Sequence, residues 1–361
     1  EHDLVIGTFG RAAWVLDDIR PLRALANSSI TKERVVLFTP PTAYQSASQQ
    51  PTGSRFGADA MYQGENRKSG ARISYYINKP VQEKRETLKE ESEEKRQEKK
   101  KEVRHDSIKL EVFDGTRKIR TLQFKAPKES GIHKTSWYLR EKGVARASRK
   151  IRKAKNEPGG VSVKPGVYHL KMTFGTAVSE QDITVAFDPR LQMSQDAINQ
   201  KYDASKELER YQAQIAAIVK QLVESKNTAT AMKLKLKKAA TLESTKEKKY
   251  KTAIKTSKEI IKQMDGLIAL YLGTVDKRQG ITRNPEVTVN QRFGVASRYI
   301  RSRFGEQTAT EKTLMSQFKN EFNKTVSKTN RFFETDWATY KAALEKIEIS
   351  PFKDIKIFTT N

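Results

Sequence analysis

Apolar positions in this chain alternate with polar ones up to about residue 190 and then fall into helical stripes. In ARISYYINKP, residues 71–80, Ile73, Tyr75 and Ile77 alternate with polar neighbours. That predicts a half-buried strand ended by Pro80. In SIKLEVFDG, residues 107–115, Ile108, Leu110 and Val112 share one face. Asp114-Gly115 signals a tight turn, and KIRTLQF returns as the antiparallel partner. Trp137 and Leu139 mark a further strand in GIHKTSWYLR. Val167, Leu170 and Met172 mark another after the Pro165-Gly166 turn, and DITVAFDPR is the last, stopped at Asp188-Pro189. Several short strands separated by turn signals predict a β-sandwich.

The opening stretch, EHDLVIGTFGRAAWVLDDIRPL, is different. Leu4-Val5-Ile6 and Ala13-Trp14-Val15-Leu16 read as two strands around a turn at Gly7, Gly10 and Arg11. A two-stranded hairpin is marginal in water and has open edges, so it is expected to pair with strands outside this sequence or on another chain. We read it as the end of a domain lying mostly upstream. PLRALA predicts a short helical turn and RVVLFTP a strand. Residues 41–70, rich in Gln, Ser, Gly and Pro, predict an extended connector. Residues 81–104 are almost entirely Glu, Lys, Arg and Gln with no apolar stripe, which predicts a solvated insertion that joins no core.

Beyond residue 190 the stripes repeat at helical spacing. Leu208, Tyr211, Ile215, Ile218 and Leu222 form one, and Ile254, Ile261, Met264, Ile268 and Tyr271 a second. A shorter helix is predicted in QRFGVASRYIRSRF, a fourth at Leu314, Phe318 and Phe322, and a last at Trp337, Tyr340, Leu344 and Ile347, capped by Thr335 or Asp336. Consecutive stripes of this kind predict an antiparallel helical bundle.

Composition narrows the chemistry. There is no cysteine, which excludes disulfides, thiolate metal sites and a cysteine nucleophile. His2, His105, His133 and His169 are scattered, without the HExxH spacing of a zinc enzyme. No G-x-S-x-G elbow and no phosphate-binding P-loop occurs. Asp17-Asp18 is the one acidic pair in a motif, and we read it as capping the helix that follows rather than as a glycosidase dyad. No catalytic, metal or cofactor-binding residue is assigned, and no cofactor is expected. No run reaches the ~18 apolar residues of a membrane span.

The formal net charge of +26 favours anionic partners. Candidate contacts are Arg146, Arg149, Lys150, Arg152 and Lys153 in the loop VARASRKIRKAKNEPGG, and Lys233, Lys235, Lys237 and Lys238 in a predicted helix. Neither cluster is interleaved with aromatics, which argues against a nucleic-acid reader. The competing reading of both clusters is a surface that keeps the chain in solution.

The motifs also carry a family resemblance. DLVIGTFGRAAWVLDDIRPLR resembles the last blade of sialidase-like, sortilin-like propeller proteins of the Bacteroidetes type, which carry Asp-box (BNR) repeats. Phe9 stands where that family has a histidine, and Ala12 where it has a glycine. YQGENRKSGARISYYI, GIHKTSWYLR (with Tyr138 in place of an acidic residue), KPGVYHLKMTFG, DPRLQMSQ and TDWATYKAALEKIEISPF are similar to later family segments, in order. No Asp box occurs here, so whole blades would lie upstream.

The resemblance implies a mixed β-then-α chain. Residues 1–40 would end a β-propeller, 41–190 would form an immunoglobulin-like β-sandwich with the charged insertion at 81–104, and 191–361 would form the helical bundle. It implies an exported protein, periplasmic, outer-membrane-associated or extracellular. This region would support the propeller in cis and meet an envelope protein or anionic glycan. The alternative is part of a glycoside hydrolase whose active site lies in the propeller.

Overall fold

The computed structural model describes residues 2–10, 13–26, 29–46, 69–78, 107–151, 156–242, 246–274, 287–303 and 305–347. The insertion expected at 81–104 lies outside them. Strands come first and helices follow, so the fold class is mixed β then α. The chain divides into two compact units, Glu1–Gly143 with Ala154–Gln192, and Val144–Lys153 with Met193–Asn361.

The first unit opens with β1 (Leu4–Gly7), β2 (Ala13–Leu16), α1 (Arg20–Leu25), a 3-10 turn at Ile30–Lys32, β3 (Val35–Leu37) and β4 (Ala43–Gln45). It continues with β5 (Ala71–Ile77), β6 (Ser107–Asp114), β7 (Arg117–Lys125), β8 (Gly131–Trp137), β9 (Arg140–Lys142), β10 (Gly159–Ser162), β11 (Gly166–Phe174) and β12 (Ala177–Phe187). A five-stranded sheet runs β4-β12-β11-β6-β7 and a three-stranded sheet runs β3-β5-β8. Pairs β9-β10 and β1-β2 stand as separate ribbons. All pairings are antiparallel except β4 with β12.

One core joins the two larger sheets. It takes Leu37, Ile73, Tyr75, Ile77 and Trp137 from the smaller and Ile108, Leu110, Val112, Leu170, Met172 and Ile183 from the larger. Alternation along β6 puts Ile108, Leu110 and Val112 on that face, each 0% exposed. Two-residue connections join β6 to β7 and β11 to β12. Gly115 (φ 58) and Gly175 (φ 62) supply the left-handed backbone these tight turns need. β5 is more deeply buried than its alternation predicts. It lies between β3 and β8, so Ser74 is buried too, and its carbonyl accepts from Phe38 N at 3.1 Å. Part of the expected connector is also a strand, since Ala43–Gln45 lies parallel to the end of β12.

The hairpin β1–β2 forms in the register Leu4↔Leu16, Val5↔Val15, Ile6↔Trp14, Gly7↔Ala13. No third strand lies beside it among the described residues. Trp14 is 66% exposed and Val5 63%. The described residues supply no cover for the hairpin. Its base is tied to the three-stranded sheet. The Arg72 guanidinium lies 3.6 Å from the Asp17 carboxylate, and Lys134 Nζ donates to Asp17 O at 3.2 Å.

The second unit contains α2 (Gln195–Leu242), α3 (Glu247–Leu272), α4 (Val289–Ser302), α5 (Ala309–Phe332), a π-helical turn at Phe333–Trp337 and α6 (Ala338–Glu345). At 48 residues α2 is on the order of 70 Å long. Ser194 Oγ accepts from Ala197 N at 3.1 Å and starts it. Its apolar stripe pairs with α3 in reverse order. Leu222 shares a cluster with Ile268, Ala229 with Ile260, and Ala239 with Tyr250, so these two helices are antiparallel as expected. The run from α5 to α6 follows α2 in the same direction. Phe318 meets Tyr211 edge-on at 5.0 Å, while Tyr340 joins the cluster of Ala229. The third long segment is therefore parallel to the first.

Two buried hydroxyl pairs fix the register of α3 against α5 and α6, Tyr271 with Thr329 and Ser257 with Tyr340, each at 3.0 Å. α5 begins with a capping box, Thr308 with Glu311. The last helix is not capped by Thr335 or Asp336, contrary to expectation. The backbone passes through the π-helical turn without a break, and Thr335 Oγ1 donates back to Arg331 O at 2.7 Å. Among the described residues no helix is long and apolar enough to cross a membrane.

Candidate binding cleft

The sequence of α4, VNQRFGVASRYIRS, carries two adjacent stripes. Val289, Phe293, Ala296 and Ile300 are buried in the bundle core. The N-cap Thr288 accepts from Gln291 N at 3.1 Å, and Phe293 meets Phe318 edge-on at 5.5 Å, which together set the roll of the helix. The neighbouring stripe, Asn290, Gly294, Ser297, Arg298 and Arg301, then lines an open cleft of about 410 Å3.

Arg146 and Ala147, from the loop that follows Gly143, line the same cleft. Gln212 Nε2 of α2 donates to Val144 O at 3.2 Å and approaches Ala145 O at 3.5 Å. The Arg149 guanidinium donates to Gly273 O, at the C-terminal end of α3, where the exposed carbonyls of a helix favour a cation. These anchors present Arg146 to the cleft. Ile215 and Phe293 supply buried apolar surface.

Three guanidinium groups therefore line one space, and no Asp or Glu lines it. Among the described residues no carboxylate pairs with Arg146 or Arg298. Gly294 leaves a gap in its side of the helix, because a Cβ there would meet nothing within 4 Å. The arrangement suits binding of an anion. It has no nucleophile–base pair and offers no metal ligand set. Among the described residues no group of three His, Asp or Glu is placed to hold a metal ion.

The residues singled out in the sequence scatter. Arg146 lies in the cleft, Arg149 is an anchor, and Lys150 is exposed. Arg152 and Lys153 lie outside the described residues. Lys233, Lys235, Lys237 and Lys238 share α2 but not one patch. At about 100° per residue, Lys233 and Lys237 fall on one flank of the buried Leu236–Ala239 stripe and Lys235 and Lys238 on the other. Lys233 lies on the order of 27 Å beyond Ile215 along the helix, so the two basic clusters do not form a single site.

Asp17 and Asp18 are structural in this chain. Asp18 Oδ1 accepts from Arg20 N at 3.3 Å and its carboxylate pairs with the Arg20 side chain at 2.7 Å. Burial pushes the Asp18 carboxyl up, but Arg20 and then Arg72 outweigh it and hold the group below its ordinary value. The N-cap itself is Ile19, so the expected cap acts one residue early. His169 lies on the surface between Asp182 (2.9 Å) and Glu180 (3.5 Å).

No family model, no curated protein and no solved structure matches this chain. The likeness to propeller proteins rests on its motifs alone.

Arg298, Arg301, Asn290 and Gln212 were not singled out in the sequence. The available signal was the spacing of 290, 294, 297, 298 and 301, a second helical stripe beside the apolar one, with a glycine in its middle.

Proposed function

We propose that this chain is a non-catalytic support and interaction region of an exported β-propeller protein, and that the hairpin β1–β2 is its attachment to the propeller. The hairpin's composition carries this reading. Leu4, Ile6, Trp14 and Leu16 lie on one face and Val5, Gly7, Ala13 and Val15 on the other, with no polar side chain on either. A strand pair that is apolar on both faces is suited to a sheet covered on both sides. Stacked propeller blades provide such cover, and a neighbouring strand would satisfy the open edges. The two sheets that share one core suit an immunoglobulin-like sandwich carrying this hairpin. The basic surface suits a protein or anionic glycan partner at the cell envelope.

Hydrogen exchange on the protein purified from its own source tests the reading. Amides of residues 4–7 and 13–16 should be as protected as those of β6, and Trp14 should be shielded from acrylamide. Exchange at the rate of an open edge, with Trp14 freely quenched, would remove the basis for the proposal.

A further inference from the structure

We infer that the arginine-lined cleft of the helical unit binds a phosphate monoester carried on an apolar body. The inference is independent of the hairpin, since every lining residue belongs to Val144–Lys153 or Met193–Asn361. Charge is the first ground. Arg146 reaches the cleft from the loop, and Arg298 and Arg301 reach it from α4. A phosphate monoester carries roughly −1.5 to −2 charges near neutral pH and three acceptor oxygens, so it can engage guanidinium forks from two sides at once. A carboxylate has one charge and two oxygens, so it offers the arginines less charge and fewer acceptors.

Shape is the second ground. The cleft volume falls within the range of small-ligand sites, and Phe293 and Ile215 offer apolar surface next to the cations. Gly294 widens the cleft midway along α4, at a helical position where glycine is otherwise unfavourable. The amide of Asn290 and the hydroxyl of Ser297 add hydrogen-bonding groups along the same wall. Because the three arginines are exposed, affinity should fall as salt is added.

Calorimetric titration of the full chain with phenyl phosphate is the test, with inorganic phosphate and phenylacetate as comparisons. Saturable binding is expected, tightest for phenyl phosphate, and Arg146→Gln and Arg298→Gln should each weaken it about tenfold. Arg298→Lys should not restore it, because an ammonium lacks the planar fork. Gly294→Leu should abolish binding while helix content and thermal stability hold or rise, which separates a blocked cleft from a misfolded chain. Lys237→Gln with Lys238→Gln should bind as the native chain does.

No saturable binding of phenyl phosphate would overturn the proposal. So would tighter binding of phenylacetate, native affinity in both arginine variants, or an equal loss in the lysine control. A phospholipid headgroup carries the same chemistry. Co-sedimentation with phosphatidic acid vesicles but not phosphatidylcholine vesicles, competed by phenyl phosphate, would assign the source to lipid. Binding of the soluble ester alone would assign it to a small metabolite.

Discussion

Two antiparallel hairpins in the sheet unit have opposite fates. β6–β7 reads SIKLEVFD and RKIRTLQFK, alternating apolar with polar, and its inner face packs on the core, fully buried at Ile108, Leu110 and Val112 and partly at Leu122 and Phe124. β1–β2 reads LVIG and AWVL, without alternation, and all eight residues are exposed. Backbone pairing is continuous in β1–β2 and, apart from a register shift between Val112 and Phe113, in β6–β7 as well. The difference lies in what the pattern asks of the surroundings. Alternation asks for one cover and leaves the other face to water, and the sheets of this chain provide that cover. A continuous apolar strand asks for two, and the described residues provide neither. Apolar side chains on a hairpin thus predict burial, but only their period tells how many partners the burial needs.

The largest expected effect is in the sealed hairpin. Leu110 is fully buried among Ile73, Met172 and other core residues, so Leu110→Ala should destabilise the sheet unit by about 3 kcal/mol, measured by urea unfolding. The same truncation at Ile6 in the exposed hairpin should cost about 0.5 kcal/mol or less. Equal costs at the two positions would mean that the exposed hairpin is packed in solution after all, and the contrast would collapse.

A smaller effect comes from the charged face of β6. Glu111 is mostly buried, with Lys109 and Lys118 each 3.0 Å from its carboxylate. Burial pushes the carboxyl up, and the hydrogen bonds and charges of the two lysines outweigh it, so its pKa lies below the ordinary glutamate value. A lowered carboxylate pKa contributes stability that is complete above the unfolded value, near 4.3, and is lost as pH falls through the folded one. Thermal unfolding followed from neutral pH down to about pH 3 should show that loss, and Glu111→Gln should flatten it. At neutral pH that variant should cost about 1 kcal/mol, at the low end for a charged hydrogen bond, because both lysine heads can return to water.

These contrasts also explain what could be read in advance. Ile108, Leu110 and Val112 were legible because a half-buried strand leaves a two-residue period, and Leu208, Ile215 and Leu222 because a half-buried helix leaves a longer one. β4 was not legible. It is three residues long, sits at a sheet edge, and is bracketed by Pro41 and a Gln/Ser-rich stretch. The second half of α2 was hidden because Ala229 and Ala239 bury little apolar area between lysines. Thr335-Asp336 looked like an N-cap because cap residues are recognised by type, whereas a continuous π-helical turn depends on backbone geometry. Arg146 was legible as part of a charge run. Its meeting with Arg298 and Arg301 was not, because nothing local records that the loop folds with the helical unit.

The smallest effect is the most informative about the exposed hairpin. Trp14→Ser removes the largest side chain of β2, opposite Ile6. In this chain alone the change should alter unfolding stability by about 0.5 kcal/mol or less, since Trp14 is 66% exposed and no core residue rests on it. Association should respond more than stability. An apolar strand pair with open edges is a template for another copy, so analytical ultracentrifugation should show less self-association in the variant. If propeller blades cover the hairpin, as proposed, the order reverses in the protein from its own source, because a covered tryptophan becomes a core residue and its loss should cost about 3 kcal/mol or more. A negligible cost in both settings would mean that the hairpin meets no sheet at all, and that its apolar faces answer to something other than burial in a blade.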